Sequence, residues 1–223
     1  MRFPTRALER CLFLIALLGL GAAALAQLQG VLFEAREGPR LEALLGEERI
    51  TRSSPGLAVE TRKAAAAGNA WGRLELPRIG MSSLVAEGTD AGTLRVAVGH
   101  LPESAFPGEG GNVGLAGHRD TVFRPLKDVA PGDLVRLQTP DGVFEYRVQW
   151  TTVVDPTRTD LLEPTAEPAL TLVTCYPFSY VGRAPLRFVV RASRAASSGD
   201  DADPVAGRLP AHVTEWRAGE EVR

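Results

Sequence analysis

A single cysteine at the end of a predicted strand is the residue best suited to chemistry in this chain. The run 169–178 is apolar and rich in β-branched side chains, and it delivers Cys175 near its end. The only other cysteine, Cys11, lies in an apolar segment near the N-terminus. If the chain after about residue 33 is extracytoplasmic, Cys175 has no partner for an intrachain disulfide there. An exported free thiol is prone to oxidation, so we expect one that is present there to have a chemical role. We therefore interpret Cys175 as a nucleophile.

Two further side chains could complete the chemistry of a thiol nucleophile. Attack on a carbonyl needs a proton donor for the leaving group and a positive charge for the developing oxyanion. His118 ends one predicted strand and Arg187 begins the last one, so the rim of a barrel could bring both to Cys175. His118 would donate a proton to a departing amine, and Arg187 would stabilise the oxyanion. A thioester at Cys175 reacts readily with amines, which favours acyl transfer.

The nucleophile and the base each have a competing interpretation. A lone cysteine is more often an inert core residue than a nucleophile. His118 could be a surface histidine in a polar turn, and His100 stands in a similar Gly-His context. We prefer His118 because it ends a predicted strand, whereas His100 ends a predicted helix.

The arginine assignment also has rivals, since Arg183 and Arg191 flank Arg187 in the sequence. Arg183 falls in a predicted loop, where its position would be loose, and Arg191 lies further along the strand that Arg187 begins. The three histidines and two cysteines of the chain show no metal-ligand spacing. We therefore expect neither a metal nor another cofactor, and calcium dependence stays open.

Short apolar runs separated by turns must position these residues. The predicted strands are 73–79, 84–86, 113–117, 134–137, 143–154, 169–175 and 186–192. Pro77 makes the first an edge strand, Asp90 predicts the cap of a short helix, and Pro140-Asp141-Gly142 predicts a hairpin. The segment 155–168 contains three prolines and is expected to be a long loop. At least seven short strands with little helix predict a closed or nearly closed β-barrel.

The N-terminal region predicts export of this barrel. Arg2, Arg6 and Arg10 precede the apolar run 11–26, which places the N-terminus in the cytoplasm and the rest outside. The small residues before Gln27 would fit a cleaved signal. We favour an uncleaved anchor that continues to Phe33, because the glutamines of this stretch can lie at the membrane interface.

These features divide the chain into four parts. Residues 1–33 are the cytoplasmic N-terminus and membrane segment, and 34–70 are a stalk in which Leu41, Leu44 and Leu45 predict a short amphipathic helix. Residues 71–192 are the catalytic domain, and the polar tail 193–223 is expected to be disordered. A net charge of −2 gives no reason to expect nucleic-acid binding.

The motifs around the three site residues resemble those of sortases, the membrane-anchored cysteine transpeptidases of bacterial envelopes. Thr171-Leu-Val-Thr-Cys175 is similar to their Thr-Leu-x-Thr-Cys signature. The segments 112–120 and 186–191 resemble those that carry the family's histidine and arginine, and the likeness runs from about 73 to 192. Cys-Tyr-Pro-Phe and the single N-terminal anchor are most similar to class D. Pro102-Glu103-Ser104 departs from the Pro-Gly-Thr that commonly follows the family's Gly-His turn.

The resemblance implies a mainly β fold, a closed eight-stranded sortase-type barrel with short helices, preceded by an N-terminal membrane helix. It implies that Cys175 cleaves a Leu-Pro-x-Thr-Gly-like sorting signal after Thr and forms a thioacyl-enzyme. His118 would be the general acid and base, and Arg187 the stabiliser of oxyanion or substrate. The expected partners are surface proteins bearing C-terminal sorting signals and an amine acceptor on peptidoglycan or another protein. The expected location is the bacterial plasma membrane, crossed once.

Two alternatives remain beside this interpretation. A cell-wall cysteine peptidase would use similar residues, although in papain-like enzymes the cysteine opens a helix and precedes the histidine. A non-catalytic envelope β-barrel module would leave Cys175 without a chemical role.

Overall fold

The computed structural model describes residues 5–47, 59–66, 68–180 and 182–195. The helices are α1 (Thr5–Glu47), α2 (Val59–Ala66) and α3 (Ala91–Val96), with short 3-10 helices at Pro77–Ile79, Arg124–Asp128 and Thr159–Leu162. The strands are β1 (Ala70–Leu76), β2 (Met81–Glu87), β3 (Val98–His100), β4 (Asn112–Ala116), β5 (Leu134–Thr139), β6 (Gly142–Val154), β7 (Ala169–Tyr176) and β8 (Leu186–Arg194).

The eight strands close into one barrel, as the resemblance to sortases implied, and their order is β1-β2-β3-β4-β7-β8-β6-β5. The β2–β3 and β4–β7 pairs are parallel, and the other neighbours are antiparallel. Alternate residues of each strand fill the interior, where Trp71, Tyr146 and Phe123 are the largest fully buried side chains. Burying an apolar side chain of this size stabilises the fold by about 1.5–3 kcal/mol.

Two predicted local signals form the structures expected of them. The carboxylate of Asp90 accepts hydrogen bonds from the amides of Gly92 at 2.8 Å and Thr93 at 3.2 Å, and so caps α3. The turn around Asp141 joins β5 to β6, which pair as an antiparallel hairpin.

Three expectations about strands were wrong. β1 ends at Leu76 and pairs with both β2 and β5, so it is not an edge strand, and Pro77 opens a 3-10 helix instead of lying inside a strand. His100 ends β3 rather than a helix, because α3 stops at Val96 and the following residues pair with β2 and β4. β8 continues to Arg194, two residues past the predicted end of the domain.

Helix α1 continues across the predicted boundary between membrane segment and stalk. Its apolar part has a mean hydropathy of 2.3 and none of it is buried, so by length and composition it is able to cross a membrane; an N-terminal signal sequence would pass the same test. Further along, Leu41 is fully buried against Ala70 and Leu84. The Arg73 guanidinium donates to Glu34 at 2.8 Å. The C-terminal part of α1 therefore packs on the barrel. Most of the predicted tail, 196–223, lies outside the described residues, as do 1–4 and 48–58.

Candidate active site

Strand register sets Arg187 beside Cys175. The two residues are direct partners in the antiparallel β7–β8 pair. Leu170 and Leu172 of β7 point into the core, so Cys175, at odd spacing from them, projects from the outer face of the barrel. Directly opposed residues of neighbouring strands project from the same face. The thiol is free and half-buried, and the guanidinium lies on the same surface.

On the other side of β7, the parallel β4 brings His118 level with Cys175. Ala116 pairs with Val173, and the amide of Gly117 donates to the Val173 carbonyl at 3.2 Å. Continuing this register by two residues past the end of β4 would set His118 opposite Cys175. His118 is exposed. The neighbouring strands therefore flank the thiol with a histidine on one side and an arginine on the other.

Local packing holds His118 at this level. The Thr174 hydroxyl donates to the buried Gly117 carbonyl at 2.7 Å. The His118 carbonyl accepts from the amide of Phe123 at 3.0 Å. A Cβ added to Gly117 would lie 2.7 Å from the Phe123 ring, so only glycine lets the turn close on that buried aromatic residue. The backbone on both sides of His118 is thus fixed by bonds to buried groups.

The Arg187 guanidinium donates hydrogen bonds to backbone carbonyls and acts electrostatically on a nearby carboxylate. Its Nη1 donates to the Leu186 carbonyl at 2.9 Å and to the Ala184 carbonyl at 3.4 Å. Asp155 follows β6, the other neighbour of β8, and its carboxylate accepts from the amide and hydroxyl of Thr157. These hydrogen bonds, and then the Arg187 guanidinium, hold the pKa of Asp155 below its usual range. The Arg187 charge therefore acts on a carboxylate at the end of β6.

The rival residues lie elsewhere. Arg183 is exposed in the loop between β7 and β8. Arg191 is buried further along β8, opposite Thr171, where desolvation lowers the pKa of its guanidinium. His100 is completely buried, and its ring contacts Glu87 Oε2 at 2.9 Å. His100 therefore cannot reach a substrate on the outer face.

The loop 155–168 is docked on this outer face by polar side chains. The carbonyl of Leu161 accepts from Arg191 Nη2 at 2.7 Å and from Asn112 Nδ2 at 3.2 Å. Asn112 Oδ1 in turn accepts from the Thr171 hydroxyl at 2.6 Å. All of these residues are buried. The network joins three strands to one loop and holds that loop against β7 and β8, the strands that carry Cys175 and Arg187.

A second loop, which connects β7 to β8, is held by the residue after the candidate base. Arg119 Nη2 donates to the carbonyls of Tyr180 at 2.6 Å and Gly182 at 3.1 Å. Its guanidinium also lies 5.8 Å from the centre of the Tyr180 ring. Arg119 thereby ties the segment that follows Cys175 to the segment that carries His118.

Sequence reasoning did not assign roles to these supporting residues. Arg119, Thr174 and Asn112 lie inside the quoted motifs, yet they were interpreted only as neighbours of the reactive residues. The alternation of inward and outward residues along the strands was the signal that could have indicated them. Thr171 and Asn112 occupy outward positions of central strands, where a buried polar residue implies a covering loop. Among the described residues, no group of three His, Cys, Asp or Glu side chains is placed to hold a metal ion.

The arrangement suits nucleophilic acyl chemistry on an extended chain. A carbonyl above Cys175 would have a cation on one side for its oxygen and an imidazole on the other for its leaving group. The two loops would border such a chain on the outer face.

Comparison with known proteins identifies the family. A family model described as a sortase domain matches residues 74–195. Sortase D of Bacillus subtilis is 44% identical over 128 residues, which are 57% of this chain and 65% of that protein. Sortase A of Listeria monocytogenes is 31% identical over 108 residues, 47% of this chain and 48% of that protein. These matches span less than two thirds of either relative.

A solved structure agrees with these sequence matches. The structure of a Clostridium perfringens Sortase D5 transpeptidase superimposes with a TM-score of 0.58 and 27% identity, over 72% of this chain and 98% of that one. The predicted resemblance to sortases, including those of class D, is confirmed. Because the family model covers more than half of its residues, this chain belongs to the sortase family of cysteine transpeptidases.

Proposed function

We propose that this protein is a membrane-anchored transpeptidase that cleaves a Leu-Pro-x-Thr-Gly-like sorting signal after Thr and transfers the product to an amine of the cell envelope. One observation supports the proposal: Arg187 pairs directly with Cys175, and β4, on the other side of β7, leads to His118. Family membership makes this chemistry the first to test.

In the first step the Cys175 thiolate attacks the carbonyl carbon of the Thr residue in the signal. A C–S bond forms, and Arg187 stabilises the negative oxygen of the tetrahedral intermediate. The C–N bond of the peptide then breaks, and His118 gives a proton to the departing amine. The product is a thioester at Cys175.

In the second step an amine attacks the thioester. The new C–N bond forms, the C–S bond breaks, and Cys175 leaves as a thiolate. His118 accepts the proton that the amine loses, which restores both residues to their starting states. Transfer competes with hydrolysis, because water can attack the same thioester.

The sorting signal would lie extended on the outer face between the two docked loops. The loop 155–168, held by Arg191 and Asn112, would contact the residues before Thr. The loop held by Arg119 would border the reacting end. The exposed apolar part of α1 supports an anchor, which would keep this face close to the envelope.

The test uses the full chain in lipid nanodiscs with a panel of Leu-Pro-x-Thr-x peptides and triglycine, with products identified by mass spectrometry. We expect cleavage after Thr and a product joined to triglycine. Cys175→Ala should abolish both products, and His118→Ala should nearly do so. Cys11→Ala, which removes the other thiol from an exposed position on α1, is the matched control and should react like the parent.

The competing functions give different results in the same experiment. Products that contain water but no triglycine would favour a cysteine peptidase. No cleavage and no adduct on Cys175 with any peptide would contradict the proposal and favour a non-catalytic module.

A further inference from the structure

A groove of about 1030 Å³ lies between α1 and the barrel, and it reaches His118. One face of α1 forms a wall, with Gln27 and Val31 toward the outer end of the predicted anchor and Glu34 just past it, at helical spacing. Parts of β1, β2 and α3 form the facing wall, and the segment that follows β4 closes the end. No residue of β7, of β8 or of the loop 155–168 lines the groove. It is therefore distinct from the face that carries Cys175 and Arg187.

The two-step reaction needs an entrance of this kind. The first leaving amine takes its proton from His118, so the incoming amine must reach the same base from the position that the first amine left. At that moment the acyl chain is bound to Cys175 and covers the outer face of β7 and β8. Departure of the first amine leaves the position beside His118 vacant, and the groove gives a second amine a path to that position.

The charges in the groove suit a peptide amine that also carries a carboxylate. Asp120 is exposed, follows His118 by two positions, and makes no hydrogen bond or ion pair with another described residue. Arg95 of α3 is equally free within the described part of the chain. Arg73, by contrast, is already held by Glu34 at 2.8 Å. The Asp120 carboxylate near His118 suits the amino end of a short peptide, and the Arg95 guanidinium across the groove suits its carboxylate end.

We propose that this groove is the acceptor site, in which an amine-bearing peptide places its amine between Asp120 and His118 and its carboxylate toward Arg95. The inference rests on the proposed function, because it assigns the site of that reaction's second substrate. Attack from the groove forms the new C–N bond and breaks the C–S bond, while the proton passes from the amine to His118 and Cys175 leaves as a thiolate.

The first test compares two tryptophan variants of α1 in the full-length protein in nanodiscs. Val31→Trp places a ring on the face of α1 that lines the groove, whereas Leu32→Trp places the same ring on a face that does not; the two positions are similarly exposed, at 63% and 58%. The readout is the ratio of triglycine transfer to hydrolysis, which a change in the rate of thioester formation does not alter. We expect Val31→Trp to raise the half-saturating triglycine concentration by about tenfold or more, and Leu32→Trp to leave it unchanged.

The carboxylate part of the proposal has its own comparison. Triglycine amide lacks the carboxylate, so it should need a higher concentration than triglycine for half-saturation. That difference should disappear in Arg95→Gln. Equal saturation by both acceptors in the parent protein would contradict the placement of the carboxylate at Arg95.

A binding measurement separates failure of the groove from failure of the reaction. In Cys175→Ala, with the histidine rings observed by NMR, triglycine should shift the signal of His118 but not that of buried His100. Val31→Trp should suppress the shift, and Leu32→Trp should keep it. If no thioester forms in the parent, the proposed function fails, and the NMR result still decides the groove. If His118 is unaffected by triglycine, or both tryptophan variants behave alike, the acceptor site is refuted.

Discussion

Thr174 provides the sharpest test of how the fold positions the candidate base. Its buried hydroxyl donates to the Gly117 carbonyl at 2.7 Å. Thr174 immediately precedes Cys175 and Gly117 immediately precedes His118, so this bond joins the two segments next to the candidate nucleophile and the candidate base. Thr174→Val keeps the side-chain shape and removes the donor. A buried carbonyl that loses its partner costs about 1–3 kcal/mol of unfolding free energy. Loss of this cross-strand bond should also let His118 shift relative to Cys175, and a shift of about 1 Å can cost roughly 10²-fold in rate.

The assay pairs urea unfolding with the rate of thioester formation at saturating and limiting peptide. We expect Thr174→Val to lower kcat more than it changes KM, since the role proposed for His118 is proton transfer to the leaving group and not peptide binding. Thr174→Ser retains the hydroxyl and should recover most of the rate, although it loses a methyl group worth about 0.8 kcal/mol. A Thr174→Val protein that keeps the parental kcat would refute the positioning role. Equal losses of rate in the two variants would assign the effect to packing instead.

Three further predictions concern the loop, the candidate oxyanion group and pH. Arg191→Met should raise the peptide KM by about tenfold with little change in kcat, because the Leu161 carbonyl loses a charged donor; an unchanged KM would remove the loop from peptide binding. Arg187→Ala should lower kcat/KM on the order of 10²- to 10³-fold, and parental turnover would move the role to another arginine. The hydrogen bond from Arg78 holds the pKa of Asp133 below its usual range, so its stabilisation is present above the unfolded-state pKa and lost as pH falls through the folded one. As the pH is lowered past about 4, the melting temperature of the parent should therefore decrease, and that of Asp133→Asn should decrease less. Parallel plots of melting temperature against pH for the two proteins would contradict the role of this pair.

The barrel and its hairpin could be predicted because their signals are local. A strand's alternation and a Pro-Asp-Gly turn are written in adjacent residues, and the cap at Asp90 needs only the amides that follow it. The errors arose where pairing partners decide the outcome. His100 follows a helix in the chain, but its two neighbouring strands bury it, and no pattern within three residues indicates this.

The sequence by itself predicted the candidate residues of the chemistry, since Cys175, His118 and Arg187 each stand in a motif that resembles one of the family's. Tertiary structure decided how they meet and what supports them. Register in the β7–β8 pair sets Arg187 beside Cys175, and β4 leads to His118 on the other side of β7; both arrangements depend on the closure of the whole barrel. The groove beside His118 exists only because α1 folds back onto β1 and β2, and that contact joins residues far apart in the chain through buried Leu41.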